Sequence, residues 1–383
     1  MKESYKLQVT NRNKDKATLE SYVADFAYIF KRTDAKRPIF DIFLNVVKNT
    51  SRTSEAVRRD QPERLVDALS DVMCWLLSFI AKVSDDRNRN AARFRLPMTL
   101  SQAIWQKYPN RCPVCFGGLF QLEAITNKLH QLSNISGLDH LPEAIMVRAL
   151  GSRISKGSLD EIVQILRNHT NSHEYLLCHC PVIPGTEERT EGDGSFRLEK
   201  KAYDYVKKLV RRRYATQVHP PATWGVKDIE AMSHSIYRLN AQKSHLEDIV
   251  NHLQEEVGEI ATALIDIYSY HPKLDPELTA EEDRLRREEL AEEIADVISW
   301  IFSCLMKAKE LFKSGARFTS SLGIQAVAPP DFGMADLIWA RWGDRKLGHL
   351  RCNDCRQPDK CECGWLINPT NYIDTPQRLP ARS

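Results

Sequence analysis

Eight of the ten cysteines in this 383-residue chain fall in short metal-type spacings, and the same order of spacings occurs twice. Cys112 and Cys115 form a CxxC followed by the CxC of Cys178 and Cys180; Cys352 and Cys355 form a second, followed by Cys361 and Cys363. Four thiolates complete a tetrahedral zinc site, and a site with four protein ligands is closed and structural. The leading MKESYKLQVTNRNKDK is polar and lacks an apolar h-region. A reducing, cytoplasmic setting is therefore expected, in which two zinc sites are favoured over disulfides. His179 is an alternative ligand in the first set. Cys74 and Cys304 lie in apolar helical runs and are read as core thiols.

Two cysteine sets in one order point to an internal duplication. Ile29–Val57 aligns without gaps on Ile236–Leu264, pairing Ile29 with Ile236, Asp41 with Asp248 and Ile42 with Ile249. LVDALSDVMCWLLSFI (Leu65–Ile80) aligns on LAEEIADVISWIFSCL (Leu290–Leu305), pairing Asp71 with Asp296 and Trp75 with Trp300. Each is followed by an Ile-Trp pair and then by Lys107-Tyr108 or Arg341-Trp342.

The length allows two or three domains, and only 16 glycines favour helices over turn-rich β architecture. The expected fold is mainly all-α. Residues 1–100 form a first helical module, and 101–218 a first zinc element with a helical insertion and a basic helix. Residues 219–318 form a second helical module and 319–383 a second zinc element. Helical stripes run through Leu246–Ile267 and Glu281–Lys309, with Lys273–Ala280 read as a loop around Pro276. The apolar runs Val72–Ile80 and Val297–Met306 are too short for a bilayer, which needs ~20 helical residues, so no membrane partner is expected.

Lys and Arg total 54 against 51 Asp and Glu, so any basic surface must be local. One candidate is the helix FRLEKKAYDYVKKLVRRRY, with Lys200, Lys201, Lys207, Lys208, Arg211, Arg212 and Arg213. Its apolar stripe docks and its basic face is expected in solvent; a nucleic-acid or nucleotide-steering patch is the alternative.

The acids of the second helical pair carry the chemistry. LQEEVGEI supplies Glu255, Glu256 and Glu259, and LAEEIADVISW supplies Glu293 and Asp296. At ~100° per residue, Glu256, Glu259, Glu293 and Asp296 flank the two apolar stripes, while Glu255 points further out. Packing stripe to stripe brings four carboxylates together, and a hard divalent cation such as magnesium would cancel their repulsion. Solvated acids on charge-rich helices are the other reading.

Glu-Glu-x-x-Glu on one helix and Glu-x-x-Asp on a later one resembles the MazG family of all-α nucleoside triphosphate pyrophosphohydrolases. The resemblance covers about Met232–Phe312 and, more weakly, Tyr22–Val83. It implies a helical bundle that binds magnesium and converts a (d)NTP to (d)NMP and pyrophosphate. By that resemblance Glu256, Glu259, Glu293 and Asp296 are Mg ligands, and Glu255 is a ligand or the base that orients water. Family bundles combine more than one unit, which implies a tandem pseudo-dimer or a homo-oligomer through the bundle.

Where the family has an Asn and a Lys for the phosphates, this chain offers Lys309, Lys313 and Arg317 but no Asn. In the first half, Lys48, Asn49 and Arg52 stand in register with Glu255, Glu256 and Glu259, and Ala68 with Glu293. A cation site cannot be built there, so that half is read as a degenerate structural partner; Lys48 and Arg52 facing the substrate phosphates is a sharper alternative. A zinc-stabilised nucleotide- or nucleic-acid-binding regulatory protein without catalysis is the rival reading for the whole chain.

Overall fold

The computed structural model describes residues 17–31, 37–84, 93–134, 149–170, 176–178, 180, 194–220, 224–269, 276–313, 332–344 and 349–351. Among these the protein is mainly all-α. The first helices are α1 (Leu19–Ile29), α2 (Ile39–Arg58), α3 (Pro62–Val83) and α4 (Leu100–Lys107). Next come α5 (Glu123–Ser133), α6 (Lys156–Asn168) and α7 (Gly194–Gln217). The last four are α8 (Val226–Lys243), α9 (Leu246–Ser269), α10 (Pro276–Lys313) and α11 (Met334–Trp342). A hairpin of two-residue strands, β1 (Gly343–Asp344) and β2 (His349–Leu350), follows α11.

Local chemistry sets the helix ends. Thr18 caps α1 through Ser21 N–H, and Thr99 and Gln102 form a capping box on α4. The α2–α3 turn needs a left-handed residue, supplied by Asp60 at φ 50°, before Pro62 opens α3. The stretch expected as a loop around Pro276 is instead the start of α10. Proline is tolerated in a first helical turn because its missing N–H has no intrahelical partner there.

The apolar stripes pack as a bundle. Helix α2 lies along α3, α9 along α10, α2 also along α9 and α3 along α10. Ile42, Phe43 and Val46 of α2 and Ile249, Leu253, Val257 and Ile260 of α9 are buried. Helix α1 covers α3, and α8 covers α10. The short helices cross over: α4 packs on α10, and α11 packs on α3.

That crossing produces two matching clasps. From the end of α4, Lys107 forms an ion pair with Asp296 of α10, and the Tyr108 hydroxyl donates to the same carboxylate. From α11, Arg341 forms a bidentate pair with Asp71 of α3 through Nε and Nη2, the latter at 2.6 Å from Oδ2. The aromatics beside them match as well: Tyr108 meets Tyr237 edge-on at 6.3 Å, and Trp342 meets Phe30 edge-on at 5.8 Å.

Asp71 and Arg341 are only 8% and 18% exposed, and removing one partner of a buried pair leaves an uncompensated charge. Arg341→Ala is expected to lower unfolding free energy by about 3 kcal/mol in urea denaturation, with Arg341→Lys milder. A loss below ~1 kcal/mol would show that α11 docks without its clasp.

Helix α7 corrects the expectation of a solvent-facing basic surface. Arg211 is buried; Arg212 bonds Glu288 at 2.7 Å and Glu292 at 2.9 Å; Lys208 reaches Glu292 at 2.8 Å. Arg213 makes a bidentate contact with Asp160 of α6 at 2.6 and 2.9 Å. The reason lies in Glu288 and Glu292 of α10, which meet the basic side chains of α7. Burial alone would raise the Glu292 pKa, but Lys208, Arg211, Lys107 and Arg212 hold it well below the usual carboxylate range. Lys200 and Lys201 remain exposed.

Candidate metal centres

The first cysteine set converges although 62 residues separate Cys115 from Cys178. Three consecutive left-handed residues, Phe116, Gly117 and Gly118, fold the chain back after Cys115. Gly117 is required: a Cβ there would sit 2.4 Å from Cβ of Leu176, the residue that brings in Cys178. The returning segment is tied to α8 by the Cys178 N–H, which donates to Ile236 O at 2.8 Å.

The Cys112 and Cys180 sulfurs are 3.7 Å apart, those of Cys115 and Cys178 are 4.0 Å apart, and all four lie within 4.8 Å of one another. A tetrahedron of ~2.3 Å Zn–S bonds has edges of about 3.8 Å, whereas a disulfide would bring sulfurs to about 2.05 Å. This largely buried cluster could hold a metal ion such as zinc. His179 and the second set, Cys352, Cys355, Cys361 and Cys363, lie outside the described residues. Cys74 and Cys304 are buried in α3 and α10, as expected of core thiols.

The second centre lies on the α9–α10 seam. Glu256 and Glu259 of α9 and Glu293 of α10 place carboxylate oxygens within 4.8 Å of one another. Glu256 and Glu293 form a half-buried back wall, and Glu259 is exposed at the mouth. Trp300 Nε1 donates to Glu256 Oε1 at 3.1 Å, which fixes that carboxylate and leaves the buried Glu256 Oε2 and Glu293 Oε2 without hydrogen-bond partners. Buried carboxylate oxygens without partners are costly by themselves, and a hard cation satisfies such oxygens.

Asp296 stands beside this trio with both oxygens taken, Oδ1 by Tyr108 and Oδ2 by Lys107. Glu255 is 66% exposed and lies 2.8 Å from His252 Nδ1, whose ring stacks on Trp300 at 4.8 Å between centroids. Lys309, an anticipated phosphate ligand, instead pairs with Glu230 at 2.6 Å and lies 5.6 Å from the Phe332 ring. It is 13 residues beyond Asp296, about 20 Å along the helix at ~1.5 Å per residue. Lys313 ends α10, and Arg317 lies outside the described residues.

The corresponding place in the first half is self-neutralised. Arg52 donates to Asn49 Oδ1 at 3.0 Å and lies 3.9 Å from Asp71, which Arg341 already holds. Spacing alone did not single out Lys107, Tyr108 and Arg341 as site residues. The available signal was the cation-aromatic dipeptide that recurs after each Ile-Trp.

The trio's electrostatics give a pH signature. Burial, then the charges of Asp296 and Glu259, push the Glu256 pKa from 4.5 to about 8. Burial does the same for Glu293; Lys107 opposes the shift, and Asp296 and Glu259 add to it, again to about 8. Acids whose folded pKa is raised stabilise the fold at low pH and lose that contribution as pH rises through the folded value. The metal-free protein should therefore lose thermal stability between pH 4.5 and about 8, and any divalent cation held by the trio would restore it most at the upper end. Melting curves with EDTA or magnesium across that range check this; parallel curves would contradict it.

Among the described residues no helix is long and apolar enough to cross a membrane. No family model matches the chain, and no curated protein and no solved structure matches it.

Proposed function

We propose that this chain is a magnesium-dependent nucleoside triphosphate pyrophosphohydrolase that resembles the MazG family, with an active second half and a degenerate first half. The observation that carries the reading is the convergence of Glu256, Glu259 and Glu293 carboxylate oxygens within 4.8 Å of one another, with a buried, unpartnered oxygen on each of Glu256 and Glu293. The pairings α2–α3 and α9–α10, with α1 on α3 and α8 on α10, suit two related halves making one bundle within a chain. The cysteine cluster is read as structural zinc.

In this reading Glu256 and Glu293 hold the cation from the buried side, and Glu259 closes the shell at the mouth. Magnesium, when bound, would neutralise phosphate charge and acidify a coordinated water. Trp300 keeps Glu256 in its ligating orientation through Nε1. Glu255, held by His252 at the solvent edge, accepts the proton of the attacking water. The reaction breaks the anhydride between the α- and β-phosphates, giving monophosphate and pyrophosphate.

The capture of Asp296 by Lys107 and Tyr108 favours a second reading, a zinc-stabilised protein that binds magnesium nucleotides without hydrolysing them. Pyrophosphate release over the standard and modified (d)NTPs, with and without magnesium, separates the two. Release from at least one nucleotide supports the enzyme; magnesium-dependent nucleotide binding without release supports the regulator.

A further inference from the structure

Glu256, Glu259, Glu293 and Asp296 are not equivalent in their surroundings. Glu256 and Glu293 each keep a buried oxygen without a partner, whereas neither Asp296 oxygen is free. Lys107 is 11% exposed and Asp296 13%, so their pairing is shielded from water and resists competition from dissolved salt. The Lys107 ammonium has three donors. One meets Asp296, and another reaches Glu292 O at 3.4 Å.

The first half supplies an independent comparison. There Asn49, Arg52 and Ala68 stand where the trio stands, so no cation site exists, yet Asp71 is held by Arg341 in the same way. An aspartate at this position is thus committed to a basic residue from the opposite half even where metal ligands have gone. Tyr108 and Trp342 occupy matched places beside the two clasps.

We propose that Lys107 is the built-in counter-ion of the carboxylate site: delivered across the halves, it occupies Asp296, so that the site takes a single divalent cation on Glu256, Glu259 and Glu293. This rests on reading the trio as a cation site, but not on hydrolysis. Lys107 is a positioning residue. Its charge sits where a second metal ion would otherwise be drawn, because without it Asp296 would join three carboxylates with nothing to offset the fourth negative charge.

The test is the number of Mn2+ ions bound per chain, read from the EPR signal of free Mn2+ during titration of the full zinc-loaded protein. Wild type and Lys107→Arg are each expected to bind one ion, Lys107→Met two, and the double variant Lys107→Met/Asp296→Asn one again. Two ions in wild type, or one in Lys107→Met, would overturn the inference and leave the trio as a cation site. No ion in wild type would overturn both.

If Lys107→Met fails to fold by circular dichroism, Asp296→Asn decides. A residue adjacent to a metal ligand costs about 10–100-fold in affinity, so this variant should still bind one ion within that range. Loss of the ion would make Asp296 a ligand and overturn the inference.

Discussion

Glu256→Gln and Glu293→Gln should each reduce magnesium-dependent pyrophosphate release by at least about 1000-fold, equivalent to ~4 kcal/mol of transition-state stabilisation. Each removes one negative ligand from the buried wall while leaving a side chain of the same size. Both positions face the α9–α10 seam without belonging to its apolar core, so helix content should not change. Stability should instead rise in the metal-free protein, because a neutral amide avoids the burial of charge, and the added repulsion from neighbouring acids, that together drive both acids up to about 8. A more stable but inactive protein is the signature of a site that trades stability for function. Wild-type turnover in either variant would remove the carboxylates from the chemistry. Glu255→Gln offers the contrast: an exposed base held only by His252 should lower the rate without weakening cation binding.

Cys112→Ser or Cys178→Ser should cost one bound zinc per chain and several kcal/mol of stability, a Tm decrease of roughly 5–10 °C. The effect is expected to be large because the cluster fastens three places at once. Cys112 and Cys115 follow directly on Lys107 and Tyr108, and Cys178 is tied to α8 through Ile236. Losing the ion would loosen the segment that brings Lys107 and Tyr108 to Asp296, so Mn2+ binding at the carboxylates should shift toward the second ion expected of Lys107→Met. Zinc content and Tm unchanged from wild type would show that the four thiols are packing residues only.

Much of the helical frame was legible because its signal is periodic. The stripe Ile249, Leu253, Val257, Ile260, Leu264 is buried as its spacing requires, and Gln61-Pro62 marks the α2–α3 turn. The meeting of Cys112, Cys115, Cys178 and Cys180 was legible from thiol chemistry, although no local rule spans the intervening insertion. Pro276 was misread because the same residue breaks a helix interior and opens a first turn; only the chain before it distinguishes the two.

The long-range pairings were not legible. Periodicity says that α7 has a basic face but not that Glu288, Glu292 and Asp160 neutralise much of it. Nor does a count of four acids reveal that Asp296 is answered by Lys107 from the other half, since that contact depends on α4 crossing to α10. Glu256, Glu259 and Glu293 could be grouped from helical geometry because both helices are long and adjacent in sequence.

The proposed activity of the Glu256–Glu259–Glu293 centre is hydrolysis of nucleoside triphosphates at the α–β anhydride. Quantifying nucleotide and phosphorus products by 31P NMR, with wild-type protein, magnesium and a panel of (d)NTPs, tests it most directly. Monophosphate and pyrophosphate are expected in equal amounts, with both abolished by EDTA and by Glu256→Gln. Diphosphate with inorganic phosphate, or no product from any nucleotide, would contradict it.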